Sequence, residues 1–392
     1  MILYLQIIVS LYTLLVVCFI IGFNRTPIVP MPKTSPQASF SIVVAFRDEE
    51  KHLIALLKSL SLLDYPTESY EIFLVNDSSK DASVKLISEF KKNEGLKNLF
   101  ILENFRQSVS PKKDAIRTAL SCAKHDWILT TDADCIVPEQ WLQAFNTIIK
   151  HNDPELIAAP ISLLKPSKLN LLYHFESLDI HSLLGATIGA FGLGLPFMAN
   201  GANLCYRKAS FLLLKGFKGN DHIASGDDIF MLEKFQKFFP SQVMYLKHRD
   251  ALVKTSAQED WAGLFSQRIR WAAKATGYSA VFPKVVGVVV FLTNLTLILV
   301  VLGFLGLLFN GFLSGEGWAI FAKAEFSLLL FFIFWKLIID AFLIWKGLVF
   351  TDSKKDFTYY PIVALLYPFV TVYVALRAFT GTYHWKGRQF KK

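Results

Sequence analysis

WILTTDADC, residues 127–135, sets a short apolar run against two aspartates separated by a single alanine. Trp127, Ile128 and Leu129 read as a buried strand, and Asp132 and Asp134 as its end. Carboxylates held that close repel each other unless a cation lies between them or both face water. The pattern repeats upstream. SIVVAF (41–46) is an apolar run ending in RDEE, EIFLVND (71–77) is a second that ends in acid, and LFILEN (99–104) is a third. Between them HLIALLKSLSLL (52–63), DASVKLISEFKK (81–92) and KKDAIRTALSCAKH (112–125) carry helical spacing.

Strands alternating with helices predict an α/β fold with a mostly parallel sheet covered on both faces. Ligands of such sheets bind beyond the carboxyl ends of the strands. Asp48, Asp77, Asp132 and Asp134 all fall at that edge. One acidic strand end is ordinary; several on one edge mark the candidate site. No GxGxxG or GxxxxGK[ST] follows these strands, so a dinucleotide or P-loop site would lack its phosphate cradle. A hard divalent cation can take that place, because Mg²⁺ binds through one or two carboxylates together with substrate phosphates.

The ends of the chain are of another kind. Hydrophobic residues make up 53% of the 392 and charged ones 19%, too apolar for a purely soluble protein and too charged for one wholly in a membrane. Residues 1–23, MILYLQIIVSLYTLLVVCFIIGF, carry no charge and are long enough to span a bilayer. They lack the basic start and small-residue cleavage site of a signal peptide and read as an uncleaved anchor. Arg25 and Lys33 follow it, which predicts a cytoplasmic middle domain. The proline-rich 24–39 reads as a linker, 40–281 as the α/β domain, 282–380 as C-terminal membrane helices and 381–392 as a basic tail. Three helices after the domain, over 282–309, 326–350 and 359–379, would leave that tail outside, whereas its lysines and arginine argue for inside. One of the later segments is therefore expected to lie in the interface or to re-enter. Lys336 and Asp340 are spaced to pair on one helical face, a structural ion pair before a transport device.

Four dispersed cysteines form no CxxC pair and fit reduced thiols better than a disulfide framework or a metal cluster. The net charge of +9 suits anionic lipid headgroups and phosphorylated substrates. No basic stripe interleaved with aromatics appears, so nucleic acid is not an expected partner.

Three further motifs lie downstream or between. VNDSSKD (75–81) is an acid followed by a serine turn, which also caps a helix in the ordinary way. ASGDDIFML (224–232) puts Asp227 and Asp228 at a helix start, where the dipole alone would favour them and where a general base could also sit. SQRIRWAAK (266–274) places Gln267, Arg270 and Trp271 on one helical face. In this order Asp77, Asp132-x-Asp134, Asp228 and QRIRW resemble the D, DxD, D, (Q/R)xxRW series of the family 2 glycosyltransferases. The resemblance extends over roughly residues 40–275 and includes AFRDEE, SPKKDAI and ANGANLCYRK.

That resemblance implies a GT-A fold, a Rossmann-like sheet carrying N-terminal and C-terminal transmembrane helices, and inverting, metal-dependent transfer of a hexose. Asp77 would contact the nucleotide, and Asp132 the ribose or metal side of the donor. Asp134 would hold Mg²⁺ or Mn²⁺ with Asp132, and Asp228 would be the base. Arg270 and Gln267 would face the leaving diphosphate and Trp271 the acceptor. Asp48, Asp227 and Lys113 are expected on the substrate as well, although Lys112 and Lys113 would equally open a solvated helix. The family's acidic pair is often Glu-Asp, and here it is Asp227-Asp228 after Gly226, which leaves two neighbours for the role of base.

The expected partners are a nucleotide-diphosphate sugar, UDP-sugars foremost, a lipid or glycan acceptor, and membrane lipids. The expected location is the bacterial inner (plasma) membrane, with the catalytic domain cytoplasmic. The apolar stretch 175–199 could admit a lipid or be plain core. The rivals are a processive polysaccharide synthase and, from another class, a nucleotide-binding membrane transporter or receptor.

Overall fold

The computed structural model describes residues 2–30, 35–313, 324–380, 383–385 and 388–390. Helix α1 (Ile2–Arg25) leads into β1 (Phe40–Phe46), α2 (Leu53–Ser61), β2 (Tyr70–Asn76), α3 (Ser83–Glu94), β3 (Leu99–Glu103), α4 (Pro111–Cys122) and β4 (Trp127–Asp132). Then come β5 (Cys135–Ile136), α5 (Trp141–Asn152), β6 (Leu156–Ala158), β7 (Ile161–Leu163), α6 (Leu171–Gly192), β8 (Leu204–Arg207), α7 (Lys208–Leu213) and α8 (Ile229–Phe238). The chain continues through β9 (Val243–Tyr245), β10 (Val253–Thr255), α9 (Trp261–Ala273), α10 (Val281–Leu313), α11 (Ala324–Thr351) and α12 (Tyr360–Thr380). A short antiparallel pair, β11 (Tyr383–Trp385) and β12 (Arg388–Phe390), follows; the remainder of the basic tail lies outside the described residues.

The main sheet has the order β3-β2-β1-β4-β8-β6-β9. All its strands run one way except β8, which is antiparallel to both β4 and β6. Alternate residues serve opposite faces, as the pleat requires. Ile42, Val44, Leu74 and Leu129 pack on one side with Leu53, Leu57, Trp141 and Phe145. Val43, Phe73, Val75 and Ile128 pack on the other with Ile116, Ala119, Met231 and Phe235. In register, Phe46 meets Asn76 and Ala45 meets Asp132, so β1, β2 and β4 finish level with one another. That level edge brings Asp77 and Asp132 to one place.

Among the described residues three stretches, Leu3–Arg25, Val281–Gly306 and Lys354–Ala378, are long and apolar enough to cross a membrane. Helices α1, α10 and α11 pack through Val16, Phe19, Val286, Ile339 and Leu343, and further out through Leu5, Leu297, Val300 and Phe332. Within that bundle Lys336 Nζ lies 2.6 Å from Asp340 Oδ2, and Tyr12 donates to Asp340 Oδ1 at 2.5 Å. The charged pair is thus satisfied inside the bundle.

Helix α12 runs along the catalytic domain. Tyr367 stacks near Phe175 of α6, Tyr373 packs edge-on against Phe265 of α9, and β11 comes back onto α9. The described part of the tail therefore lies against α9.

The domain grips the helices at two kinds of contact. Helix α1 crosses α6 where Gly22 faces Gly189 and Gly192, so closely that a Cβ on Gly189 would lie 2.8 Å from the Phe19 Cα. The loop between β9 and β10 supplies the second. Lys247 donates to the carbonyls of Phe23 (2.6 Å) and Thr26 (3.1 Å) at the end of α1, and Arg249 to those of Phe350 (2.7 Å) and Val349 (2.8 Å) at the end of α11. Cations there satisfy the open carbonyls of a helix C-terminus and oppose its partial negative charge. The linker is pinned at Ile28, bridged to Lys247, and at Gln37 and Ala38, whose amides donate to Asn146; residues 31–34 lie outside the described part.

Candidate active site

A cleft of about 750 Å³ opens at the carboxyl edge of the sheet, and Asp77, Asp132, Asp134, Asp227, Asp228, Gln267, Arg270 and Trp271 all line it. These residues come from the ends of β2 and β4, the start of α8 and one face of α9, far apart in sequence. Each is set by a local rule. Asp228 caps α8, accepting from Ile229 N–H at 2.7 Å, and Asp260 caps α9, accepting from Gly263 N–H at 2.7 Å. Gly226 holds φ +86°, and a Cβ on it would lie 2.6 Å from the Phe230 ring, so glycine is what lets the Asp227-Asp228 turn form.

The acids differ in their partners. Asp77 is buried and accepts from Asn104 Nδ2 at 2.8 Å and Arg106 at 3.3 Å. Asp132 Oδ1 lies 2.6 Å from Lys112 Nζ, which also reaches Asp227 Oδ2 at 3.3 Å. Asp134 is recessed, and its carboxylate accepts from Thr255 Oγ1 (3.2 Å) and the Cys135 thiol (3.8 Å). Burial, with the Asp132 and Glu49 carboxylates nearby, pushes its carboxyl up to about 6. Burial would raise Asp228 too, but the ammonium groups of Lys274, 3.3 Å away, and Lys112 outweigh it and hold that carboxyl below its ordinary value.

Two expected substrate contacts lie elsewhere. Asp48 follows β1 with φ 50° and binds the turn after β2, accepting from Lys80 N–H at 2.7 Å; it is not among the cleft residues. Lys113 is fully buried and donates to the carbonyls of Asn220 (2.7 Å) and Ile223 (2.9 Å), so its ammonium is consumed in the core, and burial pushes it down to about 8. Its neighbour Lys112 is the lysine that faces the cleft.

Sequence reasoning passed over Glu49, His52, Lys274 and Glu176, all of which line the cleft. Glu49 and Lys274 lay inside motifs already marked, RDEE and QRIRWAAK. Glu176 carried no signal, being one acid in the apolar 175–199 stretch. That stretch turns out to have several faces: Ile180, Leu183 and Leu184 line the cleft, while Gly189 and Gly192 meet α1.

Among the described residues no group of three or more His, Cys, Asp or Glu is placed to hold a metal. Asp132 and Asp134 offer a hard cation two carboxylates, the number that suits an ion completing its shell with substrate phosphate and water. The raised Asp134 carboxyl marks negative charge that the protein leaves under-compensated, and this fits such an ion.

The model of glycosyl transferase family 2 matches residues 41–169, and that of glycosyl transferase family group 2 matches residues 127–378. A poly-beta-1,6-N-acetyl-D-glucosamine synthase of Staphylococcus epidermidis is 25% identical over 250 residues, 64% of this chain and 57% of that protein. A beta-monoglucosyldiacylglycerol synthase of Nostoc is 30% identical over 102 residues, 26% of this chain and 21% of that one. The chain thus spans less than two thirds of either relative. Among solved structures, a mannosyltransferase of Pyrobaculum calidifontis in complex with GDP-Man and Mn²⁺ aligns over 96% of this chain and 99% of that one, at TM-score 0.53 and 16% identity. That likeness concerns the fold, which is GT-A. Taken with the second family model, which runs from β4 to the last helix, it leaves one assignment: the chain belongs to the family 2 glycosyltransferases.

Proposed function

We propose that this protein moves a sugar, with inversion, from a nucleotide-diphosphate donor to a lipid-linked or membrane-bound acceptor at the cytoplasmic face of the bacterial inner membrane. The observation that carries this reading is the convergence of Asp77, Asp132, Asp134, Asp228, Gln267, Arg270 and Trp271 on one cleft. UDP-sugars are the donors to try first. The acceptor side is supported by α6, which lends Ile180, Leu183 and Leu184 to the cleft while packing against the membrane helix α1. The names of the two relatives point to a glycan and a lipid acceptor. The Mn²⁺ in complex with the mannosyltransferase points to a divalent cation.

In this reading Asp77 orients the nucleotide, held in place by Asn104 and Arg106. Asp134 and Asp132 would hold Mg²⁺ or Mn²⁺, which when bound neutralises charge on the donor diphosphate. Asp228 accepts the proton of the acceptor hydroxyl as its oxygen bonds to the anomeric carbon and the bond to the diphosphate breaks. Capping α8 fixes this carboxylate toward the cleft, and Lys274 keeps it ionised. Arg270 meets the charge that develops on the departing diphosphate, where a guanidinium fork binds two oxygens. Gln267 assists it, and Trp271 lines the acceptor side.

The test is transfer from labelled UDP- and GDP-sugars by the full-length protein in lipid vesicles. Asp134→Ala should abolish transfer that depends on Mg²⁺ or Mn²⁺. Unchanged transfer by that variant would remove the metal role, and no transfer by the unaltered protein from any donor would remove the enzymatic reading in favour of a nucleotide-binding transporter or receptor. The staphylococcal relative's name favours one second reading, a processive polysaccharide synthase. A ladder of product lengths, in place of a single addition, would select it.

A further inference from the structure

The family motif gives roles to Gln267, Arg270 and Trp271 and none to Arg268, which lies between them. Arg268 turns away from the cleft into α6 and is only 8% exposed. Its Nε donates to Asp179 Oδ2 at 2.7 Å, and its NH2 lies 4.0 Å from Glu176 Oε1. Its NH1 donates to the side-chain oxygen of Gln267, and its guanidinium carbon sits 4.3 Å from the centroid of the Trp271 ring. One side chain therefore touches two of the three motif residues. Glu176, 1% exposed, also accepts from the Gln258 backbone N–H at 2.8 Å, just ahead of α9.

Three buried ionic groups are a poor way to glue two helices. Well-packed apolar residues of similar volume would hold α6 to α9 as well or better, because each charge must leave water. What the ionic arrangement adds is direction. A planar guanidinium bound at one edge and stacked on an indole fixes the rotation of α9 about its axis, which an apolar contact leaves softer. From this geometry we propose that Asp179 and Glu176 of α6 are positioning residues for the transfer step, acting through Arg268 on Gln267 and Trp271 and, along the same helix, on Arg270. The inference rests on the glycosyltransfer reading above and adds to it a part that the motif does not contain. Because α6 also packs against α1, the orientation of the diphosphate-facing helix is referred to the membrane anchor.

The experiment uses the full-length protein in phosphatidylethanolamine–phosphatidylglycerol vesicles containing diacylglycerol, with labelled UDP-glucose, UDP-N-acetylglucosamine and GDP-mannose as donor probes. Asp179→Asn and Glu176→Gln keep side-chain shape and remove charge. A misaimed α9 should lower kcat by about 10- to 100-fold while the donor KM stays within about threefold, since a displacement on the order of 1 Å suffices for such losses. Asp179→Glu should restore part of the rate. Asp179→Asn combined with Arg268→Gln should lose no more than the worse single variant, as expected for groups acting as a unit. The combined change Asp179→Leu with Arg268→Leu and Glu176→Gln leaves no unpaired charge in the cluster and should fold yet transfer slowly. Independently of turnover, amide hydrogen exchange over 266–273 should rise in Asp179→Asn. A folded Asp179→Asn or triple variant with kcat within twofold of the unaltered protein would overturn the proposal, as would additive losses or unchanged protection of α9. If the unaltered protein turns over none of the donors, the parent reading fails and the role in transfer with it, while raised exchange over α9 in Asp179→Asn still shows that Asp179 orders that helix.

Discussion

Replacing Gly189 with alanine adds one methyl group at the crossing of α1 and α6, and its effect follows from the geometry. The new Cβ would lie 2.8 Å from the Phe19 Cα and closer still to the Phe19 carbonyl oxygen, where ordinary contact begins at 3.4 Å, so the shortfall exceeds 3.4 − 2.8 = 0.6 Å. The obstacle is backbone, so no rotamer change relieves it, and the two helices must separate by at least that amount. Overpacking of this kind costs about 1–3 kcal/mol, and in a chain of this size that lowers Tm by roughly 1–4 °C. Where α6 is the helix that yields, the move displaces Asp179 relative to Arg268, and kcat should fall about tenfold. Thermal denaturation in detergent and initial transfer rates in vesicles read the two effects. Gly287→Ala is the control: nothing lies within 4 Å of a Cβ there, and helix propensity alone predicts neutral or slightly raised stability. If Gly189→Ala matches Gly287→Ala in both Tm and kcat, α6 is not held to α1 as described.

Three other expectations follow from the same site and bundle. Lys112→Met should raise the donor KM because it strips the ammonium from Asp132 and Asp227, whereas Lys113→Met should lower Tm and leave KM unchanged; the reverse pattern would reassign the two lysines. Lys274→Met removes the nearest cation from Asp228, so the carboxyl pKa rises, the base is protonated at higher pH, and the acid limb of the kcat/KM profile moves upward; a stationary or downward limb would argue against Asp228 as base. Asp340→Asn leaves Lys336 buried without its carboxylate and should cost about 3 kcal/mol, read as a lower Tm, whereas an unshifted Tm would mean the pair contributes nothing to the bundle.

The first four strands and their acidic ends were legible because a buried parallel strand must be apolar along its length and must end in something polar. The register then turned adjacency in pattern into adjacency in space, with Ala45 opposite Asp132 and Phe46 opposite Asn76. The choice between Lys112 and Lys113 was not legible. Neighbours on a helix point about 100° apart, and which of them meets the cleft depends on how α4 is rolled against the sheet. The antiparallel β8 was hidden for a similar reason, since direction in a sheet is set by pairing partners. Glu176 and Asp179 looked like stray acids in an apolar stretch because their partner, Arg268, lies some ninety positions away in a segment that already had a meaning of its own. The course of α12 depended on Phe175 and Phe265, which its own composition does not report.

The paired caps of Lys247 and Arg249 bear on what the cleft can reach. A domain hung from a flexible stalk samples a range of heights above a bilayer and can meet hydroxyls on molecules of many lengths. Here one short loop clasps the ends of two helices, and the mouth of the cleft is set at one elevation. On the proposed chemistry a mouth held in this way favours acceptors whose hydroxyl stands at one height above the acyl chains over those that need the domain to rise or sink.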